Sequence, residues 1–280
     1  MPLFAFLLVI ASAVLHALWN FTVKVSGNLS VLCIGFWMAC MTCLPFVLIF
    51  PTSYPAIRSA SPFILGSGII HGIYFFSLYK AYQQTDISII YPIARGTGVA
   101  GTGLAAYVLL KEDISFVGGM GILLVCIGIV LMGFEISLKQ EYLKGLGLAL
   151  FVGLMIVNYS IIDKGAVGVI DPISYIFGVW LLSAAFLTPY ILTKDRTGLL
   201  WAWKKFKGSS FIIGIGSMGT YLMILFAYQL SHVSYVVATR EIAVVIGAVF
   251  GFKFLNEKYT PKKIIGILTI VFGLIMIKGA

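Results

Sequence analysis

Charge is what this sequence has least of. Its 280 residues include 10 aspartates and glutamates and 19 lysines and arginines, and 60% are hydrophobic. Soluble domains carry about 25% charged residues. A chain this apolar could not bury its surface in water, which excludes an ordinary globular enzyme or binding domain. Long polar segments are missing as well: the longest stretch between apolar runs is 193–210, too short for an extramembrane domain. The four cysteines, Cys33, Cys40, Cys43 and Cys126, all lie inside apolar runs. Cys40 and Cys43 form a C-x-x-C with no histidine or loop beside it, so they read as packing thiols rather than a redox or zinc pair. The three histidines, His16, His71 and His232, are scattered, and no run has metal-ligand spacing or the order of a Ser-His-Asp set. The two matches to G-x-G-x-x-G, at 96–101 and 214–219, lie inside apolar runs, so a dinucleotide fold is excluded by context, and no aromatic-basic array is present. The expectation is a protein that is not an enzyme, holds no cofactor or metal and binds no nucleic acid.

What remains is hydrophobic length. The mean hydropathy is +1.05, and ten apolar runs can be marked: 3–23, 31–50, 62–82, 87–110, 116–134, 143–162, 172–192, 211–230, 235–255 and 263–277. A helix needs about 20 residues to cross the hydrocarbon of a bilayer. The spacing therefore predicts an all-α integral membrane protein with ten transmembrane helices. Ala11-Ser12-Ala13 resembles a signal cleavage site, but no basic residue precedes it and the apolar run continues past it, so the first run is read as a retained helix. The net charge of +9 is uneven across the loops. The side holding both termini carries Arg58, Lys111, Lys164 and Lys278, and thirteen basic residues fall on the other. The positive-inside rule then puts the termini outside. The segment 199–207, LLWAWKKFK, reads as an interfacial anchor in a loop, and Asp163, Lys164 and Asp171 read as solvated residues around another.

The chain repeats itself. At an offset of 145, Leu110, Glu112, Gly121, Ile122, Leu123 and Gly128 meet Leu255, Glu257, Gly266, Ile267, Leu268 and Gly273, and Arg95 meets Arg240. An offset of 146 matches Ala81-Tyr82 to Ala227-Tyr228. This divides the chain into two five-helix units, 1–138 and 140–280. An odd number of helices per unit means two inverted repeats, the plan of secondary transporters whose site lies between them. A five-helix repeat with a glutamate past its fourth helix (Glu112, Glu257) and a glycine-spaced fifth helix (Gly121/Gly128, Gly266/Gly273) resembles the EamA-type drug/metabolite transporter superfamily. The resemblance implies that helices 1, 3, 4, 6, 8 and 9 line a cavity and that helices 5 and 10 support it. It also implies cytoplasmic termini, against the charge count.

Arg95 and Arg240 lie deep in apolar runs, and Glu241 follows the second. Charge at that depth is costly unless it pairs or faces water, so each is a functional candidate. One reading has Glu241 locking the repeats together through an arginine. Two arginines against one acid still leave a cation suited to a carboxylate or phosphate. Pro92 predicts a kink just before Arg95. In HALWN, His16, Trp19 and Asn20 share one helix face, and Asn158 is the partner of Asn20 by residue type. His71, Tyr74, Tyr91 and Tyr221 supply further wall candidates. The sequence thus reads as a multi-pass secondary transporter of the inner cell membrane, monomer or homodimer, embedded in the lipid bilayer. Its partner would be a small anionic or zwitterionic metabolite: an amino acid, an amino-acid derivative or a phosphorylated compound. Proton coupling would run through Glu241 and His16. The alternatives are a proton-coupled exporter of lipophilic cations and a lipid-headgroup flippase.

Overall fold

The computed structural model describes residues 1–26, 28–84, 87–133, 140–194, 197–254 and 260–280. Within these it describes the side chains other than those at 21, 24–26, 82–84, 87–91, 133, 140–144, 247 and 250–254. The described residues form eleven helices and no strand: α1 (Leu3–Ser26), α2 (Leu29–Ile49), α3 (Tyr54–Gln84), α4 (Ile87–Leu109), α5 (Phe116–Gly133), α6 (Gln140–Ala166), α7 (Pro172–Lys194), α8 (Gly198–Leu230), α9 (Val233–Thr239), α10 (Ile242–Phe254) and α11 (Pro261–Gly279). In hydrocarbon every backbone polar group needs an internal partner, and a helix supplies one within the segment. Among the described residues, α1, α2, α3, α6, α7 and α8 contain spans long and apolar enough to cross a membrane. Large apolar side chains such as Leu48, Leu104 and Phe116 face outward, as lipid contact requires. This is a multi-pass membrane protein.

Helix ends are closed locally. The Asn28 side chain accepts from the Ser30 N–H (2.7 Å) at the start of α2. Thr260 caps α11 ahead of Pro261. Glu112, after α4, accepts the backbone N–H groups of Val233 (2.6 Å) and Ser234 (3.3 Å) and the Ser234 hydroxyl (2.7 Å), so it caps α9 in the other half of the chain. Its repeat mate Glu257 lies outside the described residues.

Two expectations change here. The ninth run is two helices, interrupted at Arg240-Glu241. Across the break Glu241 N–H bonds to Ala238 O, Ala243 N–H to Arg240 O and Val244 N–H to Glu241 O, the short three-residue spacing of a tightened turn. Conversely, α4 continues through Pro92 without interruption. The stretch 199–207 lies in the first turns of α8 rather than in a loop, with non-helical backbone at Phe206. There Lys205 sits over the rings of Trp201 and Phe206, which fits a headgroup anchor.

The packing has a two-fold pattern. α1 packs on α8 and α6 on α3, while α2 packs on α7 and α5 on α11. In the last pair the repeated glycines meet. A Cβ at Gly121 would fall 2.8 Å from Gly273 O, and one at Gly128 would fall 2.7 Å from Gly266 O. The two helices therefore run antiparallel with their backbones in contact, a closeness only glycine permits. α1 and α6 also share one burial pattern at an offset of 140: residues 5, 9, 12, 13, 16 and 19 are buried, as are 145, 149, 152, 153, 156 and 159.

Candidate functional site

The turn between α9 and α10 places two buried charges at the centre of the bundle. Arg95, on α4, engages Glu241 with both arms of its guanidinium: Nε donates to Oε2 at 3.0 Å and Nη2 donates to Oε1. Arg95 is 5% exposed and Glu241 1%. Fork-to-fork geometry of this kind satisfies both carboxylate oxygens at once. The neighbouring Arg240 faces away from Glu241's contacts. Its guanidinium carbon lies 5.7 Å from the centre of the Tyr221 ring, a cation–π distance.

An aromatic wall surrounds Arg240. Tyr159 stacks on His71 (4.2 Å between ring centres) and meets Tyr74 edge-on. Tyr221 meets His71 edge-on and leans on Trp180 at 5.3 Å. His71 is held by Ser67 through its Nδ1, and Trp180 Nε1 donates to Ser217 Oγ at 3.2 Å. Behind this wall lies Asp163, which is fully buried. The Tyr175 hydroxyl donates to its Oδ1 at 2.6 Å and the Tyr221 hydroxyl donates to Oδ2. The expectation that Asp163 is solvated is therefore wrong: α6 continues past it to Ala166 and turns its carboxylate inward against α7 and α8.

On α1, Asn20 Nδ2 donates to His16 Nε2 at 2.7 Å. With the amide nitrogen assigned toward the ring, Nε2 accepts and the ring proton belongs on Nδ1. That nitrogen is buried without a hydrogen-bond partner, as are Trp19 Nε1 and Arg240 Nε. His16 packs edge-on against Trp19 at 5.0 Å and lies within the electrostatic reach of Arg240 and Arg95. Three buried N–H groups thus lack an acceptor in one neighbourhood, whereas buried donors in native structures are nearly always satisfied.

The structure brings together Arg95, Arg240, Glu241, His16, Trp19, Asn20, His71, Tyr74 and Tyr221. The Tyr91 side chain lies outside the described residues. Asn158 is not part of the cluster. It is exposed, and its amide donates to its own helix at Leu154 O (2.7 Å). The shared burial pattern of α1 and α6 explains why: Asn158 corresponds to Leu18, which is 52% exposed, while Trp19 corresponds to Tyr159 and Asn20 to Ser160. Tyr159, Trp180, Tyr175 and Asp163 were missed by sequence reasoning; the α1–α6 register would have found Tyr159.

Two charged residues follow Asp163 in the chain, at the end of α6 and the start of α7. Lys164 is half-buried rather than solvated, and its ammonium donates to the carbonyls of Tyr228 and Ser231. Asp171 is exposed, as expected, and starts α7: Oδ1 accepts the Ser174 N–H at 2.8 Å, and Thr52 donates to Oδ2. Partial burial opposes its charge, but these hydrogen bonds outweigh burial and hold the carboxyl below its ordinary value. An open cleft of about 820 Å³ lies at this end, lined among others by Thr52, Val167, Asp171 and Gln229. It is separate from the buried charge cluster. No group of three or more metal-ligating side chains occurs among the described residues.

A model of the EamA-like transporter family matches residues 3–134 and again 143–279. Solved structures of the same fold are found. One, titled only as the crystal structure of a protein, superposes with a TM-score of 0.76 over 97% of this chain and 96% of that chain, at 16% identity. No curated protein matches the sequence.

Proposed function

The chain belongs to the EamA-like transporter family, and on that footing we propose that it is a secondary transporter of the inner cell membrane that moves a small metabolite carrying a carboxylate or phosphate group. Ten membrane crossings in two inverted units, 1–138 and 140–280, would provide alternating access to a site between the halves. The observation that carries the substrate class is the set of three buried donors without acceptors: Arg240 Nε, His16 Nδ1 and Trp19 Nε1. A ligand bearing an anionic oxygen supplies what all three need. Arg240 is the receiving cation, because Arg95 is already gripped by Glu241. Tyr159, Tyr74 and Tyr221 form the wall around the rest of the ligand.

In this reading Glu241 is the internal stand-in for substrate. A bound anion competes with it for the arginines, and the released carboxylate loosens α4 from the α9–α10 turn. The alternative of a lipophilic-cation exporter needs an acid free to accept the drug, but Glu241 is held by Arg95 and Asp163 by two tyrosine hydroxyls. A headgroup flippase would present its polar site to the side of the bundle, whereas these donors are buried within it.

The test is a thermal-shift screen of anionic, zwitterionic and cationic metabolites on purified protein, followed by uptake into liposomes. Ligands in excess of their dissociation constant raise the melting temperature. Anionic compounds should stabilise the wild type and lose that effect in Arg240→Ala. A screen in which lipophilic cations alone stabilise, or in which Arg240→Ala retains the anion response, overturns the reading. Scrambling of fluorescent lipid without soluble flux would favour the flippase.

A further inference from the structure

Asp163 has no part in the scheme above, yet it is the most enclosed carboxylate among the described residues, at 0% exposure. It lies three residues before the end of α6, about 5 Å along the helix. It forms no salt bridge with a lysine or arginine among the described residues; two phenols donate to it, Tyr175 from α7 and Tyr221 from α8. Ser67 from α3 adjoins it and links it to His71. Tyr228 from α8 and Arg240 from the α9–α10 turn also face it. Tyr159 faces it from its own helix, while Lys164 points away to backbone carbonyls.

Two features give this carboxylate a task. The first is charge balance. Arg95 and Arg240 are offset by Glu241 and an ionised Asp163, so these four buried groups are together neutral without substrate. A monoanion arriving at Arg240 leaves one negative charge in excess, and uncompensated charge in a membrane interior is costly. Protonating Asp163 removes that excess. The second is connection and access. The Tyr221 hydroxyl bonds to Asp163 while its ring carries Arg240, and one turn beyond Asp163 the chain at Val167 lines the open cleft. We propose that Asp163 is the proton-exchanging acid of this transporter: it takes one proton from the cleft side when a monoanionic substrate binds Arg240, and Tyr221 links the two events. This rests on the anion reading of Arg240.

The proton moves from water in the cleft to a carboxylate oxygen of Asp163 and returns to water on release, with no other bond changed. Infrared difference spectroscopy on the ligand-free protein in nanodiscs, stepped between about pH 9 and pH 5, reads the protonated carboxyl directly. The expected result is a carboxyl band that grows on acidification, persists in Glu241→Gln and disappears in Asp163→Asn. Tyr221→Phe keeps the ring but removes the hydroxyl bonded to the ionised form, so the midpoint should rise by about one pH unit. Should Asp163→Asn fail to fold, Tyr221→Phe and Tyr175→Phe decide, since an unmoved midpoint in both overturns the proposal. A band that survives Asp163→Asn, or no titrating carboxyl in the wild type, overturns it as well. In liposomes, L-lactate uptake should carry about one proton per molecule and uptake of the zwitterion L-alanine none. Lactate entering without a proton sinks the coupling. If neither lactate nor alanine is bound by wild type or Arg240→Ala, the substrate reading loses its support, and the ligand-free titration still judges Asp163.

Discussion

Replacing Glu241 by glutamine keeps the shape of the side chain and removes its charge. The carboxylate meets Nε and Nη2 of Arg95, and both residues are almost fully buried. At about 3 Å and an effective dielectric near 20, the Coulomb term is roughly 5 kcal/mol. Desolvation offsets much of it while the pair is intact. When one partner is removed, the other is left charged and unpaired, and measured losses in such cases are about 3–5 kcal/mol. Glu241→Gln leaves two buried arginines within electrostatic reach of each other without the acid that offsets them, so the upper part of that range is expected. Exchanging both partners at once, as Arg95→Met with Glu241→Leu, removes the charges together and should cost less than either single change, because apolar substitutes for a buried pair are often neutral or stabilising. The assay is equilibrium unfolding in mixed micelles followed by tryptophan fluorescence, read as a double-mutant cycle. The double variant should be stable yet fail to transport, separating the pair's structural role from its functional one. A loss below about 1 kcal/mol in Glu241→Gln, with no coupling to Arg95, would refute the geometry on which the site is built.

At the α5–α11 crossing, Gly128→Ala places a methyl 2.5 Å from Ile270 Cγ1 and 2.7 Å from Gly266 O. It should lower stability by about 1–3 kcal/mol, while Gly147→Ala, with nothing within 4 Å, should be neutral or slightly stabilising; equal effects in the same unfolding assay would contradict this. Asp171→Asn weakens the α7 cap. The folded carboxyl lies below its ordinary value of 3.8, so its contribution is present above that value and lost as pH falls through the folded one. The melting-temperature gap between wild type and Asp171→Asn should therefore hold at neutral pH and close in strong acid. A single engineered cysteine at Lys205 should resist a membrane-impermeant thiol reagent in intact cells if the basic loops are cytoplasmic; labelling would place the termini there instead.

Much of the centre was readable because its chemistry is rare in apolar segments. Arg95, Arg240 and Glu241 stand out in any run of oil-like residues, and His16 with Asn20 is visible from helical spacing alone. The misreadings have separate physical causes. Asp163 sits next to Lys164 and close to a helix end, so its local sequence resembles a solvated loop; partners distant in sequence, among them the tyrosines of α7 and α8, make its burial tolerable. Asn158 matched Asn20 in type but not in register, and a shift of two residues moves a side chain about 200° around a helix, to its opposite side. The break at Arg240-Glu241 contains neither proline nor glycine. The turn coincides with the tertiary grip of Arg95 on Glu241, a contact 146 residues distant in sequence, while Pro92 in α4 is accommodated without one.

If the protein alternates between two facings, as proposed, the crossing of α5 and α11 has a consequence for which of them it rests in. Exchange the two halves of the chain, and the Gly121–Gly273 approach becomes the Gly266–Gly128 approach, so the crossing reproduces itself. A contact that is unchanged by the exchange has the same energy in two conformations related by it, and it cannot favour either one. Whatever makes the protein rest in one facing rather than the other must reside in positions that have no twin. His16 corresponds to Ile156, Asp163 to Val23, and Glu241 has no acid opposite it in the first half. The duplicated framework sets the fulcrum, and the few unduplicated polar residues carry the bias, so a handful of substitutions at those positions could reverse the resting state without touching the fold.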